Sequence, residues 1–123
     1  MRIDGYLFMS DFQEIVEKIK KFRDERDWGQ FHNHKDMALS LVLEASEVLE
    51  HFQWKNPEEV EKYAKQCKDQ IAEELADVAM YLFELADNLG INLPEAIEDK
   101  LAKNSQKYPV EKAKGISTKY TKL

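Results

Sequence analysis

Cysteine is nearly absent from this 123-residue chain. The one present, Cys67, excludes an intramolecular disulfide framework and any metal site built from several thiolates. Glycine and proline are scarce as well, at four and three, too few for the turns of an all-β fold. No apolar run approaches the roughly 18 residues that a membrane span needs. The N-terminus also lacks the basic-then-apolar order of a secretory signal, so the expected address is the cytoplasm, with no membrane partner. Basic residues are outnumbered, 18 against 24 acidic ones, for a net charge of −6. That balance is a poor electrostatic match to polymeric nucleic acid.

What is present suits one soluble domain: 43% hydrophobic residues for a core and 34% charged residues for a solvated surface. The charge is unevenly placed. Residues 1–99 carry 11 basic and 23 acidic side chains, whereas residues 100–123 carry seven lysines and one glutamate. An acidic body can hold divalent cations, and a basic end can meet an anion. A solvated helical surface with a lysine-rich tail explains the same composition, so position has to decide.

Residues 1–9 give little periodic signal. Ser10 is a candidate N-cap, and Phe12, Ile15, Val16, Ile19 and Phe22 follow at helical spacing, which predicts a first helix over 10–27. The stretch from Trp28 to His34 has no helical stripe and reads as a loop. A second helix is predicted from Lys35 to Trp54. Asn56-Pro57-Glu58-Glu59 combines a capping residue, proline at the first helical position and acids at the positive dipole end. The third helix runs from there to Leu89, with a break expected near Lys65–Asp69 because a helix of that length is unusual in a globular domain. Pro94 opens a fourth helix that ends near Lys107. The expectation is an all-α, compact bundle of four to five helices, with one domain over residues 1–109 and a flexible basic tail over 110–123.

The second and third helices share a pattern that amphipathicity does not require. Glu44, Glu47 and His51 repeat at i, i+3, i+7, and so do Glu74, Asp77 and Tyr81. At 100° per residue both sets fall near 0°, 300° and 340°. The apolar stripes (Met37, Leu41, Val48 and Phe52 on one helix, Ile71, Leu75, Val78 and Leu82 on the other) occupy similar arcs. Packing of the stripes would bring four carboxylates together from two helices, with no basic residue inside either short motif. Crowded carboxylates repel, more so away from water. Magnesium is the natural remedy, since it takes carboxylate oxygens and shares its coordination with phosphates. Bound there, it can polarise a phosphoryl group and activate water. Spaced acid pairs also occur at Glu14/Glu17, Glu58/Glu61 and Glu95/Glu98, where a solvated face suffices. The signal is the matched pairs beside apolar seams.

At these residues the chain resembles the MazG-like, all-α nucleotide pyrophosphohydrolases. Glu44-Ala-Ser-Glu47 followed by Glu74-Leu-Ala-Asp77 is similar to their ExxE…ExxD signature. Arg26-Asp-Trp28-Gly-Gln-Phe-His32 and Phe52-Gln-Trp54 are similar to the dCTP pyrophosphatase branch, and Lys100-x-x-x-Asn104-x-x-Lys107-Tyr108-Pro109 resembles its closing motif. The resemblance spans residues 10–109. It implies magnesium-dependent hydrolysis of a (deoxy)nucleoside triphosphate, dCTP or a modified dCTP, to the monophosphate and pyrophosphate. It implies metal ligation by Glu44, Glu47, Glu74 and Asp77; among these carboxylates Glu47 is our own preference for the general base. It implies a nucleobase pocket of Trp28, His32 and Trp54, with Tyr81 near the metal, and phosphate contacts from Lys100, Asn104 and Lys107. It also implies a homodimer or homotetramer with sites between subunits.

The residues agree with parts of this and leave others open. Trp28 in a loop and Trp54 at a helix end are poor core positions, and indole faces stack on bases without reading their identity. Hydrogen bonds from His32 or Asn33 would supply identity. Lys107 stands where relatives often carry arginine, which keeps a charge but loses the bidentate fork. Tyr81 is equally readable as a seam residue. The alternatives from other classes are a non-catalytic nucleotide-binding regulator and a helical assembly module that keeps its acids for solubility.

Overall fold

Helix formation begins where the chain offers its backbone a cap. In the computed structural model, which describes residues 10–123, the Ser10 side chain accepts from the Gln13 backbone N–H while the Gln13 side chain accepts from that of Ser10. This reciprocal box satisfies two orphan donors and starts α1 (Asp11–Glu25). Asn33 caps α2 (His34–Glu50), Asn56 caps α3 (Pro57–Gln66) and Asn92 caps α5 (Leu93–Lys107), each accepting from the backbone N–H three residues on. The long third helix predicted from sequence is two helices. At Cys67 the backbone leaves helical values (φ −114°, ψ 30°), and α4 (Lys68–Asn88) resumes at once. The break falls inside the expected window. Gly90, at φ +69°, ends α4 in the left-handed conformation that suits glycine.

The described residues are all-α, with six α-helices and no strand. The sixth, α6 (Val110–Ala113), exceeds the expected count, and residues Tyr120–Lys122 form a short 3₁₀ turn, so the segment read as a flexible tail carries helical turns. Pro109 supplies the φ of −57° from which α6 starts. Trp28–Phe31 also adopts a 3₁₀ turn within the predicted loop. The second helix stops four residues short of the predicted end. His51–Trp54 form a turn that closes on Trp54 at φ +66°, which redirects the chain into α3. None of the described helices is long and apolar enough to cross a membrane.

The chain divides at Gly90/Ile91 into two units. In the first, α2 packs most extensively on α4, and α1 packs on α4 as well. Val16, Met37 and Ala86 are buried there, and Phe12 meets Phe83 edge to face at 4.9 Å. The predicted seam is only partly closed, for Leu75 and Leu82 remain exposed. In the second unit Tyr108 packs edge-on against Tyr120, and the Lys107 Nζ sits 4.9 Å above the Tyr120 ring.

Candidate functional site

Packing of α2 on α4 brings together the acids that their spacing placed on matching faces. Glu44, Glu74 and Asp77, all half-buried, each offer a carboxylate oxygen within 4.8 Å of the others. Glu47 is exposed and contacts both Glu44 and Glu74. The electrostatics are those of uncompensated crowding. Burial pushes the Glu44 carboxyl up from its ordinary range, and the Glu47 hydrogen bond and the charges of Glu47, Asp77 and Glu74 push it further. The Glu74 carboxyl is raised chiefly by its hydrogen bond with Glu47, with His51 acting weakly the other way. Among the described residues Glu44 Oε2 is the one buried side-chain oxygen or nitrogen with no hydrogen-bond partner. A hard divalent cation fits this set: oxygen donors, excess negative charge and an orphaned carboxylate oxygen.

Beside the acids lies a cleft of about 240 Å³ whose walls include Glu44, Asp77, Trp28, His32 and Tyr81, with Phe22, Met80 and Ile19 as apolar lining. The His32 ring stands 6.4 Å from both the Trp28 and the Tyr81 rings, and Trp28 is braced edge-on by Phe22 at 5.7 Å. Two aromatic planes, an imidazole and a wall of acids therefore share one cavity. A larger and more open hollow, which His32 and Arg23 also border, is lined by Asp24, Gly29, Asn33, His34 and Asn88 and holds one carboxylate rather than a cluster.

The remaining sequence candidates are not gathered there. Trp54 is 92% exposed and does not line the cleft. Lys100 and Lys107 are exposed on α5, with Asn104 half-buried between them, in the second unit. His51, on the acid face, sends Nδ1 to the Tyr63 hydroxyl at 2.7 Å. Sequence reasoning missed Arg23 and Glu84, which also line the cleft. A signal existed for Glu84: the stripe Glu74, Asp77, Tyr81 continues at the same spacing to Glu84.

Comparison with known proteins agrees with this architecture. The sequence profile described as the MazG-like family matches residues 39–123, a stretch that contains all four clustered acids. The chain is 44% identical over 113 residues to dCTP pyrophosphatase 1 of Rattus norvegicus, which covers 90% of this chain and 66% of that protein. It is 39% identical over the same length to dCTP pyrophosphatase 1 of Homo sapiens, again over 66% of the relative. The chain thus spans just under two thirds of these relatives. Among solved structures, a pyrophosphatase from Archaeoglobus fulgidus superposes with a TM-score of 0.80 at 36% identity, covering 88% of this chain and 99% of the other. Sequence profile, relatives and fold converge, and the chain belongs to the MazG-like family.

Proposed function

We propose that this chain is a magnesium-dependent, cytoplasmic pyrophosphohydrolase of (deoxy)nucleoside triphosphates, with dCTP or a modified dCTP as the favoured substrate. The observation that carries the reading is the shared cleft, in which Trp28, His32 and Tyr81 face the same cavity as Glu44 and Asp77. Glu44, Glu47, Glu74 and Asp77 would hold magnesium. When bound, the metal would neutralise and polarise the phosphate oxygens gathered on it. The aromatic walls fix the nucleoside end and so favour the α-phosphorus as the centre nearest the acids. Glu47, the exposed member of the four, accepts the proton of the attacking water. The new bond joins water oxygen to the α-phosphorus, and the bond to pyrophosphate breaks. Lys100, Asn104 and Lys107, which do not line this cleft, enter the proposal through the resemblance of their motif alone, as the groups that would balance the charge of the triphosphate.

The same proposal includes a homodimer or homotetramer. Leu39, Val42, Leu43 and Leu49 of α2 are each more than half exposed, an apolar stripe that a second copy would cover. Trp54, exposed and outside its own cleft, is then available to stack on a base held by another copy.

Release of pyrophosphate across a panel of nucleoside triphosphates, with and without magnesium, tests the activity. Single-turnover hydrolysis in ¹⁸O-labelled water tests the mechanism: label belongs in the nucleoside monophosphate. Label in pyrophosphate, or release of orthophosphate with a diphosphate product, would place attack elsewhere and end this reading.

A further inference from the structure

Among the described residues one charged side chain is buried, Glu84, at 2% exposure, and the proposed hydrolysis gives it no task. It follows Asp77 and Tyr81 along the same face of α4. Glu84 Oε1 accepts from Arg23 Nη1 of α1 at 3.2 Å. The two Glu84 oxygens also lie 3.0 and 2.8 Å from His32 Nδ1. A clamp between α1 and α4 needs only the guanidinium and the carboxylate. The imidazole is the additional member, and it is also a wall of the cleft.

The carboxylate decides which imidazole nitrogen carries the hydrogen. A carboxylate accepts and has none to give, so His32 Nδ1 donates. In the neutral ring Nε2 is then a bare lone pair, an acceptor only. Among the described residues Nε2 has no hydrogen-bond partner. Arg23 serves Glu84 through Nη1 and Asp24 through Nε, and the selection that follows belongs to the neutral ring.

We propose that Glu84 is a positioning residue which, through the His32 tautomer, makes the cleft select bases that present an exocyclic amino group over bases that present a carbonyl there: cytosine over uracil. This rests on reading the cleft as the nucleobase pocket. A 4-amino group donates to Nε2. A 4-oxo group brings only lone pairs to a lone pair and leaves both desolvated without a partner. Stacking on Trp28 or Tyr81 cannot make this distinction, because every base has a π-face.

The test is the ratio of kcat/KM for dCTP and dUTP in the unaltered protein and in Glu84→Gln, with melting curves for both. A glutamine amide donates as well as accepts, so Nδ1 is no longer compelled to carry the hydrogen. The expected result is a ratio that favours dCTP and falls by about tenfold in the variant, the worth of one hydrogen bond. Equal loss for both nucleotides in a folded variant means a structural clamp and overturns the proposal. A long-range ¹H–¹⁵N spectrum of the three histidines in the unaltered protein is independent of how the variant folds, with His32 assigned by its loss in His32→Asn. A hydrogen on Nδ1 and none on Nε2 supports the proposal; a hydrogen on Nε2 overturns it. Should no nucleoside triphosphate be hydrolysed, the enzymatic reading fails, and equilibrium binding of dCMP against dUMP decides the pocket separately. A dCMP preference that Glu84→Gln erases supports the selection, and equal affinities refute it.

Discussion

Helix α4 presents two carboxylate sites on one face, Asp77 and Glu84, about 10 Å apart along the helix axis. They meet opposite fates. Glu84 is buried more deeply, yet the protein supplies its cation: Arg23 approaches from α1, and His32 completes the contact. Asp77 joins Glu44 and Glu74, which are less buried, and among the described residues none forms an ion pair with them, His51 acting only weakly on Glu74. The first arrangement is closed and sets geometry. The second is electrostatically incomplete and gains by taking a cation from solution. What separates a structural carboxylate from a candidate ligand here is the partner, not the depth of burial.

The comparison can be broken most forcefully at the open site. Glu44→Gln and Asp77→Asn should each reduce turnover by about 10²-fold or more, the scale of losing one electrostatic contact to a transition state. Both should keep the helical circular dichroism spectrum, and the metal-free melting temperature should stay level or rise because repulsion is relieved. Near-normal turnover at saturating magnesium in both variants would falsify the metal site. The closed site should respond in the reverse sense. Arg23→Met leaves the buried Glu84 with the His32 imidazole as its one remaining partner, so urea denaturation should show a loss of about 3 kcal/mol, while Arg23→Met combined with Glu84→Leu should recover most of it. If the single change costs nothing, Glu84 is not held as a closed ion pair.

Trp54→Ala is expected to act on neither carboxylate site. Loss of stacking worth about 1–3 kcal/mol should raise KM by roughly 5- to 150-fold with a smaller change in kcat. An unfolded variant would instead assign the indole to the fold. The smallest effect is a pH dependence. Glu44 and Glu74 bind their protons more tightly folded than the ordinary value of 4.5 implies. Their contribution to stability is therefore complete below the unfolded value and lost as pH rises through the folded one. The metal-free protein should melt lower near pH 7 than near pH 5, and the gap should narrow with magnesium and in Glu44→Gln. A gap that Glu44→Gln leaves unchanged would trace the pH dependence to other groups.

Much of this arrangement is legible in the sequence because it is local. Caps at Ser10, Asn56 and the Pro94 start act within one helical turn, and the spacings of Glu44/Glu47 and Glu74/Asp77 fix which side chains share a face. The break at Cys67 was expected from length alone. The early end of α2 was not legible, since the apolar stripe runs on through Phe52 while the hydrogen bond between His51 and Tyr63 fixes the turn across 12 residues of chain. Glu84 could have been found as the next member of the Glu74, Asp77, Tyr81 stripe, but its pairing with Arg23 was hidden for the same reason: 61 residues separate them, and Arg23 reads by itself as one more solvated charge on an amphipathic helix.

Trp54 sets stability against recognition at a single position. Its left-handed backbone costs an ordinary residue about 1–2 kcal/mol, a cost glycine escapes in exchange for a smaller entropy penalty. Its indole, almost wholly in solvent, returns little packing within the protomer. A library screened only for thermal tolerance of the isolated chain should therefore drift to glycine at residue 54 and discard, unnoticed, the aromatic face proposed to meet the base. A screen that rewards turnover would hold the tryptophan in place, so the residue recovered at this one position reports which pressure a selection actually applied.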